Sequence, residues 1–160
     1  MTGKVTLQGM KQEEYRAFLT RLVADYAMEK VTAGAWAEEE AQKLSEQAVL
    51  SLLPEGLNTK DHSLFSVREE QTGAQLGELW VHYRAGGGGL EAFIYEIIIF
   101  EEYQGKGYGK ATLQALDEEA RKQGAASIGL HVFAHNERAH QLYLKSGYVT
   151  TDITMKKKLE

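Results

Sequence analysis

The stretch Leu90–Phe100, LEAFIYEIIIF, is rich in β-branched and aromatic residues and predicts a buried strand. It leads into the loop Glu102-Tyr103-Gln104-Gly105-Lys106-Gly107-Tyr108-Gly109-Lys110. Beyond that loop the apolar residues change period, and Leu113, Leu116 and Ala120 fall on one helical face. A buried strand that turns through glycines into a helix commits this part of the chain to an α/β arrangement. It also fixes where a strand end and a helix start must meet.

The remaining elements can be read around that junction. Tyr15, Phe18, Leu19, Leu22, Val23 and Tyr26 form one apolar helical stripe. A second helix is predicted from about Ala37 to Leu53. Glu38, Glu39 and Glu40 crowd its first turn, where the helix dipole favours negative charge, and Pro54 and Gly56 end it. Ser63–Glu70, Leu76–Tyr83 and Leu90–Phe100 read as an antiparallel meander, with Gly86–Gly89 as a loose connection. A helix from about Gly107 to Gln123 follows, with Gly124 as its cap, then a strand over Ser127–Phe133. A short helix over Asn136–Ser146, capped by Asn136, precedes closing strands at Tyr148–Thr151 and Ile153–Leu159. This order predicts an α/β (α+β) fold, a mixed central sheet with helices on both faces. At 160 residues the chain is expected to be one domain, 1–160.

Composition removes several classes of function. The chain has no cysteine, which excludes thiol catalysis, disulfide frameworks, Cys-ligated zinc and iron–sulfur clusters. Its net charge of −5 argues against a nucleic-acid partner. The longest apolar run, Ile97–Phe100, is far below the roughly 20 residues of a spanning helix, so no membrane partner is expected. With no signal-like start, the expected compartment is the cytoplasm. The five histidines show no H-E-x-x-H pattern and are read as packing or surface residues, so no metal is expected. No G-x-S-x-G elbow is present. Trp36, Trp80 and Tyr83 could line an acceptor pocket but are read as core. Lys156–Lys158 are read as a solvated strand edge that discourages sheet pairing.

The loop itself has the chemistry of a phosphate cradle. Helix N-termini expose unpaired N–H groups with partial positive charge, and glycines let the backbone approach a ligand. Lys106 and Lys110 add positive charge. Two familiar phosphate loops do not fit. Gly109-Lys110 is followed by Ala111, which breaks the Walker pattern, and no glycine or alanine closes a G-x-G-x-x-G/A from Gly105 or Gly107. The pattern that fits is Gln-x-x-Gly-x-Gly, as Gln104, Gly107 and Gly109.

In this pattern the chain resembles the GNAT superfamily of N-acetyltransferases, whose R/Q-x-x-G-x-G/A signature clasps the pyrophosphate of acetyl-coenzyme A. Ile99, five residues before Gln104, fits the family's apolar strand. A second family signature follows at the expected distance: Asn136, Ala139, Leu142, Tyr143, Gly147 and Tyr148. The resemblance spans about Ser63 to Leu159, and Glu101 departs from it where many members carry proline.

The resemblance implies direct transfer of an acetyl group to a primary amine of a small molecule, peptide or protein. Gln104, Gly105, Lys106, Gly107, Tyr108, Gly109 and Lys110 would hold the pyrophosphate. If the family's β-bulge falls at Glu96, the backbone of Ile97, Ile98 and Ile99 would pair with the pantetheine arm, and one freed N–H would stabilise the oxyanion. Glu96 is the candidate general base, weighed against a merely solvated or salt-bridged carboxylate. Tyr143 is the candidate general acid for the departing thiolate, and Asn136 a coenzyme contact. Monomer and homodimer are both compatible with the family. The rival on the same fold is a non-catalytic acyl-coenzyme-A-binding sensor, and the presence of Glu96 and Tyr143 favours the enzyme.

Overall fold

The computed structural model describes residues 4–160. Their contacts divide the chain into two compact units, one ending at Leu130 and the other covering His131–Glu160.

The first unit is built on a five-stranded sheet in the order β1-β2-β3-β4-β5. The strands are β1 (Val5–Gly9), β2 (His62–Glu69), β3 (Gln75–Gly86), β4 (Gly89–Ile99) and β5 (Ser127–Leu130). The first four are antiparallel neighbours, and β5 joins β4 in parallel. The parallel step follows from the helix between them, since parallel neighbours require a crossover. Helices α1 (Gln12–Thr32) and α2 (Glu38–Leu52) separate β1 from β2, and α3 (Tyr108–Lys122) connects β4 to β5. Gly86 pairs with Gly89, so the glycine run expected to be a loose connection is the tight end of the β3–β4 hairpin.

Alternation along each strand sorts the core between two faces. Leu64 and Trp80 are cross-strand partners and pack with Met10, Tyr15, Phe18 and Leu53. That face is covered by α1, and α2 packs on α1, where the buried Ser45 Oγ donates to the carbonyl of Val23 (2.6 Å). On the opposite face Val67, Leu79, Val81 and Ala92 are buried, as are Leu113, Leu116 and Ala120 of α3. Burying a leucine side chain in this way contributes about 1.5–3 kcal/mol.

The second unit contains α4 (Glu137–Lys145), bounded as its sequence predicts. Asn136 Oδ1 accepts from the N–H of Ala139 (3.4 Å) at the N-cap. At the other end Tyr148 N–H donates to Tyr143 O (3.0 Å) and Gly147 N–H to Leu144 O (3.2 Å). This is a Schellman stop, and Gly147 takes the positive φ of 96° that it needs.

Two expectations are corrected. A strand, β1, precedes the first helix. It has only five residues, and its partner Glu69 lies far along the chain from Val5, so local periodicity could not reveal it. At the other end, Ser127–Phe133 is a strand only to Leu130, and among the described residues no ladder forms over residues 148–160. The alternation over Ile153–Leu159 is strand-like, but it is assigned to no strand among the described residues, and alternation alone does not make one.

Candidate active site at the bulge of the fourth strand

Strand β4 changes character halfway along. From the hairpin it pairs with β3 as far as Val81↔Ile94, and the next pair is Trp80↔Glu96. Tyr95 is therefore an extra residue, a β-bulge, which bends the strand and strengthens its local twist. The parallel ladder with β5 runs from Glu91↔Ser127 to Ile94↔Leu130 and ends there. The bulge thus begins where β4 loses its second neighbour, next to Glu96, where the resemblance would put the family's bulge.

Beyond the bulge one edge of β4 has no ladder among the described residues. The N–H of Phe100 donates to Leu76 O on β3 (2.8 Å). Backbone groups of successive residues in an extended strand point to opposite edges, so those of Ile98 face β3 and those of Ile97 and Ile99 face the ladderless side. There Gln104 Nε2 donates to the carbonyl of Ile99 (2.8 Å), tying the first residue of the loop signature to the strand end.

Glu96 lies on the face covered by α1, opposite Trp80. Burial pushes its carboxyl up to about 7, and the nearby carboxylates of Glu29, Asp25 and Glu78 push in the same direction. Such a group is poised to exchange a proton near neutral pH. Glu78, almost fully buried at 1% exposure, is ion-paired through Oε2 to Arg21 of α1. Its burial raises its own carboxyl against the pull of Arg21.

An aromatic stack flanks the bulge. Tyr95 lies on Trp80 with ring centroids 4.7 Å apart, and His62 stacks on His82 at 4.2 Å. Trp80 Nε1 donates to His62 Nδ1 (2.9 Å), and burial together with His82 holds His62 below the usual histidine range, against the pull of Asp61. These two are packing histidines. No group of three or more metal-ligating side chains occurs among the described residues.

The loop after β4 has the backbone of an anion cradle. Gly105 and Gly107 take φ of 75° and 85°, the left-handed region in which a side chain is strained. Gly107 is the N-cap of α3 and offers no side chain to the helix start. The N–H groups of Tyr108, Gly109 and Lys110 in the first turn therefore have no intrahelical acceptor. Tyr108 is turned aside: its hydroxyl donates to Glu69 Oε2 (3.0 Å), and this bond raises its pKa. Sequence-predicted residues Glu96 to Ile99 and Gln104 to Lys110 are thus consecutive parts of one structural feature.

Asn136 and Tyr143 belong to the second unit, on α4 and its cap. Within it the ring of Tyr143 meets that of Tyr148 edge-on at 5.8 Å. The residues that the sequence did not single out are Arg21, Asp25, Glu29, Glu78 and Tyr95. The first three recur every fourth residue on α1, a spacing that marks one helical row. Nothing in the sequence said which strand that row would meet.

The sequence model described as the acetyltransferase (GNAT) family matches residues 26–148. The N-acetyltransferase YycN of Bacillus subtilis is 45% identical over 155 residues, 97% of this chain and 99% of the relative. YdgE of the same organism, also named an N-acetyltransferase, is 42% identical over 96% of this chain and 98% of its own length. The crystal structure of YycN superposes with a TM-score of 0.88 at 44% identity, covering 98% of this chain and 99% of that one.

Proposed function

The chain belongs to the acetyltransferase (GNAT) family and is an acyl-transferring enzyme of the N-acetyltransferase kind, and we propose that it moves the acetyl group of acetyl-coenzyme A directly to a primary amine. The observation that carries this reading is the bulge. It sets a carboxyl poised near neutral pH beside a strand edge that carries no ladder among the described residues, and the glycine cradle follows within a few residues.

The residues suit the acetyl donor. Gly105 and Gly107 add no Cβ to the cradle, and the first turn of α3 supplies N–H groups and Lys110 for a pyrophosphate, with Lys106 in the loop before it. Ile97 and Ile99 supply backbone partners for an extended amide-containing arm. The donor brings an activated thioester, whose thiolate is the leaving group.

An alkyl ammonium has a pKa near about 10.4 and must lose a proton before it can attack. Glu96, directly or through one water, accepts that proton. As the new C–N bond forms, negative charge grows on the carbonyl oxygen, and an N–H of the ladderless edge stabilises it. The C–S bond then breaks, the nitrogen sheds its surplus proton to solvent, and the Tyr143 hydroxyl, later reprotonated from solvent, gives its proton to the thiolate. That transfer is modestly uphill, since a thiol at about 8.5 is a stronger acid than tyrosine at about 10. We assign residues 1–160 to one GNAT domain, because the family match crosses the boundary between the two units.

The test is a thiol-release assay with acetyl-coenzyme A and a panel of polyamines, aminoglycosides, amino acids and peptides, alongside titrations with acetyl-coenzyme A and ATP. Amine-dependent release and preference for acetyl-coenzyme A are expected. Preference for ATP, or tight binding with no release from any amine, overturns the reading.

A further inference from the structure

We propose that Glu69 is a positioning residue for coenzyme binding: acting through the Tyr108 hydroxyl, it holds the glycine cradle in the conformation that receives the pyrophosphate. This rests on the acetyl-coenzyme A reading above.

The cradle has little to stiffen it from within. Gly105 and Gly107 sit at left-handed φ, and a glycine backbone has more conformations to lose than any other. Gly107 stands at the N-cap of α3 with no side chain to cap the helix start. The N–H groups of the first turn point where that turn points. Their convergence on a ligand therefore depends on what fixes Tyr108, the first residue of α3.

Tyr108 is held from three sides. The hydroxyl of the buried Thr112 donates to its carbonyl (2.7 Å), within the helix. Its ring meets that of Tyr103 edge-on at 6.4 Å, so two tyrosines bracket the loop from Gln104 to Gly107. Its own hydroxyl donates to Glu69 Oε2 (3.0 Å), 39 residues away in the chain, and this bond ties the helix start to the sheet.

The anchor is itself fixed. Glu69 is the last residue of β2, opposite Val5 of β1. Its N–H donates to Ala74 O, and its carbonyl accepts from the N–H of Gly73 (both 2.9 Å), closing the turn to β3. At the other end of the loop, Gln104 is bonded to Ile99 of β4. The cradle is thus slung between the ends of β2 and β4, the two strands that flank β3. The chemistry of Glu69 fits an indirect role. A carboxylate repels a pyrophosphate, but it accepts a phenol hydrogen bond more strongly than a neutral oxygen does. Loosening the loop lowers the fraction of molecules ready to bind, and apparent affinity falls by that fraction.

The experiment measures coenzyme A binding by calorimetry and the KM for acetyl-coenzyme A in Tyr108→Phe, Glu69→Ala, their combination and Glu69→Gln. Each of the first two should weaken binding and raise KM about fivefold, the change that losing one net hydrogen bond produces, with kcat nearly unchanged. The combination should be no worse than either alone, since both remove the same bond. Glu69→Gln keeps an oxygen acceptor and should bind almost as the native protein does. S-acetylpantetheine has no pyrophosphate, so native enzyme and Tyr108→Phe should use it equally. In the unliganded protein, amide hydrogen exchange over residues 105–110 should be faster in Tyr108→Phe, a readout that needs no turnover. Unchanged affinity, additive losses, a Glu69→Gln as weak as Glu69→Ala, or an equal loss with S-acetylpantetheine overturns the proposal. A native protein that does not bind coenzyme A removes the acetyl-coenzyme A reading, and this inference with it.

Discussion

Replacing Glu96 with glutamine keeps the shape of the side chain and removes its charge, so it separates what the carboxylate costs from what it does. Its carboxyl is pushed from an ordinary 4.5 up to about 7, first by burial and then by Glu29, Asp25 and Glu78. The folded state therefore holds this proton more tightly than the unfolded chain does. Between pH 4.5 and about 7 the folded protein binds more protons, and stability falls as pH rises through that window. The cost is absent below the window and complete above it, where at about 1.36 kcal/mol per pH unit it reaches about 3 kcal/mol. Glu96→Gln should consequently be more stable than the native protein by about 2–3 kcal/mol at pH near 8.5, and by less than about 1 kcal/mol at pH near 5. Urea denaturation of both proteins at the two pH values measures this. The same substitution should lower kcat/KM by about 10²–10⁴ and abolish a rising limb centred near pH 7 in its pH profile. Stability differences that do not change with pH would refute the account of burial, and a retained rising limb would refute the base.

Three further outcomes follow from the geometry. A Cβ at Gly77 would stand 2.0 Å from the carbonyl oxygen of Ile98, so Gly77→Ala should cost about 2–4 kcal/mol in urea denaturation by forcing β3 and β4 apart next to the site. Gly107→Ala strains a backbone at φ 85°, by about 1–2 kcal/mol. Its KM for acetyl-coenzyme A should rise more than its kcat falls, whereas an unchanged KM would remove the cradle role. Tyr143→Phe should lower turnover while acetyl-coenzyme A still binds nearly as well by calorimetry, and undiminished turnover would dismiss the general acid.

Much of the architecture was open to reading because it is local. The helical stripe from Tyr15 to Tyr26, the stop at Pro54, the β3–β4 meander and the strand–glycine–helix junction are all encoded in contiguous residues. The Gln104, Gly107 and Gly109 pattern and the cap-to-stop span from Asn136 to Tyr148 could be read for the same reason. A helix N-cap and a Schellman stop are formed by neighbours in sequence.

Other features required partners that the chain brings from afar. β1 exists because Val5–Gly9 finds Gly9↔Phe65 and its neighbouring pairs, and residues 148–160 have no ladder among the described residues despite an alternating pattern. The bulge at Tyr95 is a mismatch of register between β3 and β4, which neither strand displays alone. The same holds for Glu96. Its residue type and position before the loop came from sequence, but its proton affinity comes from burial and from carboxylates on α1 and β3. The sequence by itself determined the local elements, the phosphate-cradle motif and the family they resemble. Only the tertiary structure decided where the β4–β5 ladder ends and which charges surround Glu96, because register and electrostatic environment are properties of pairs distant in the chain.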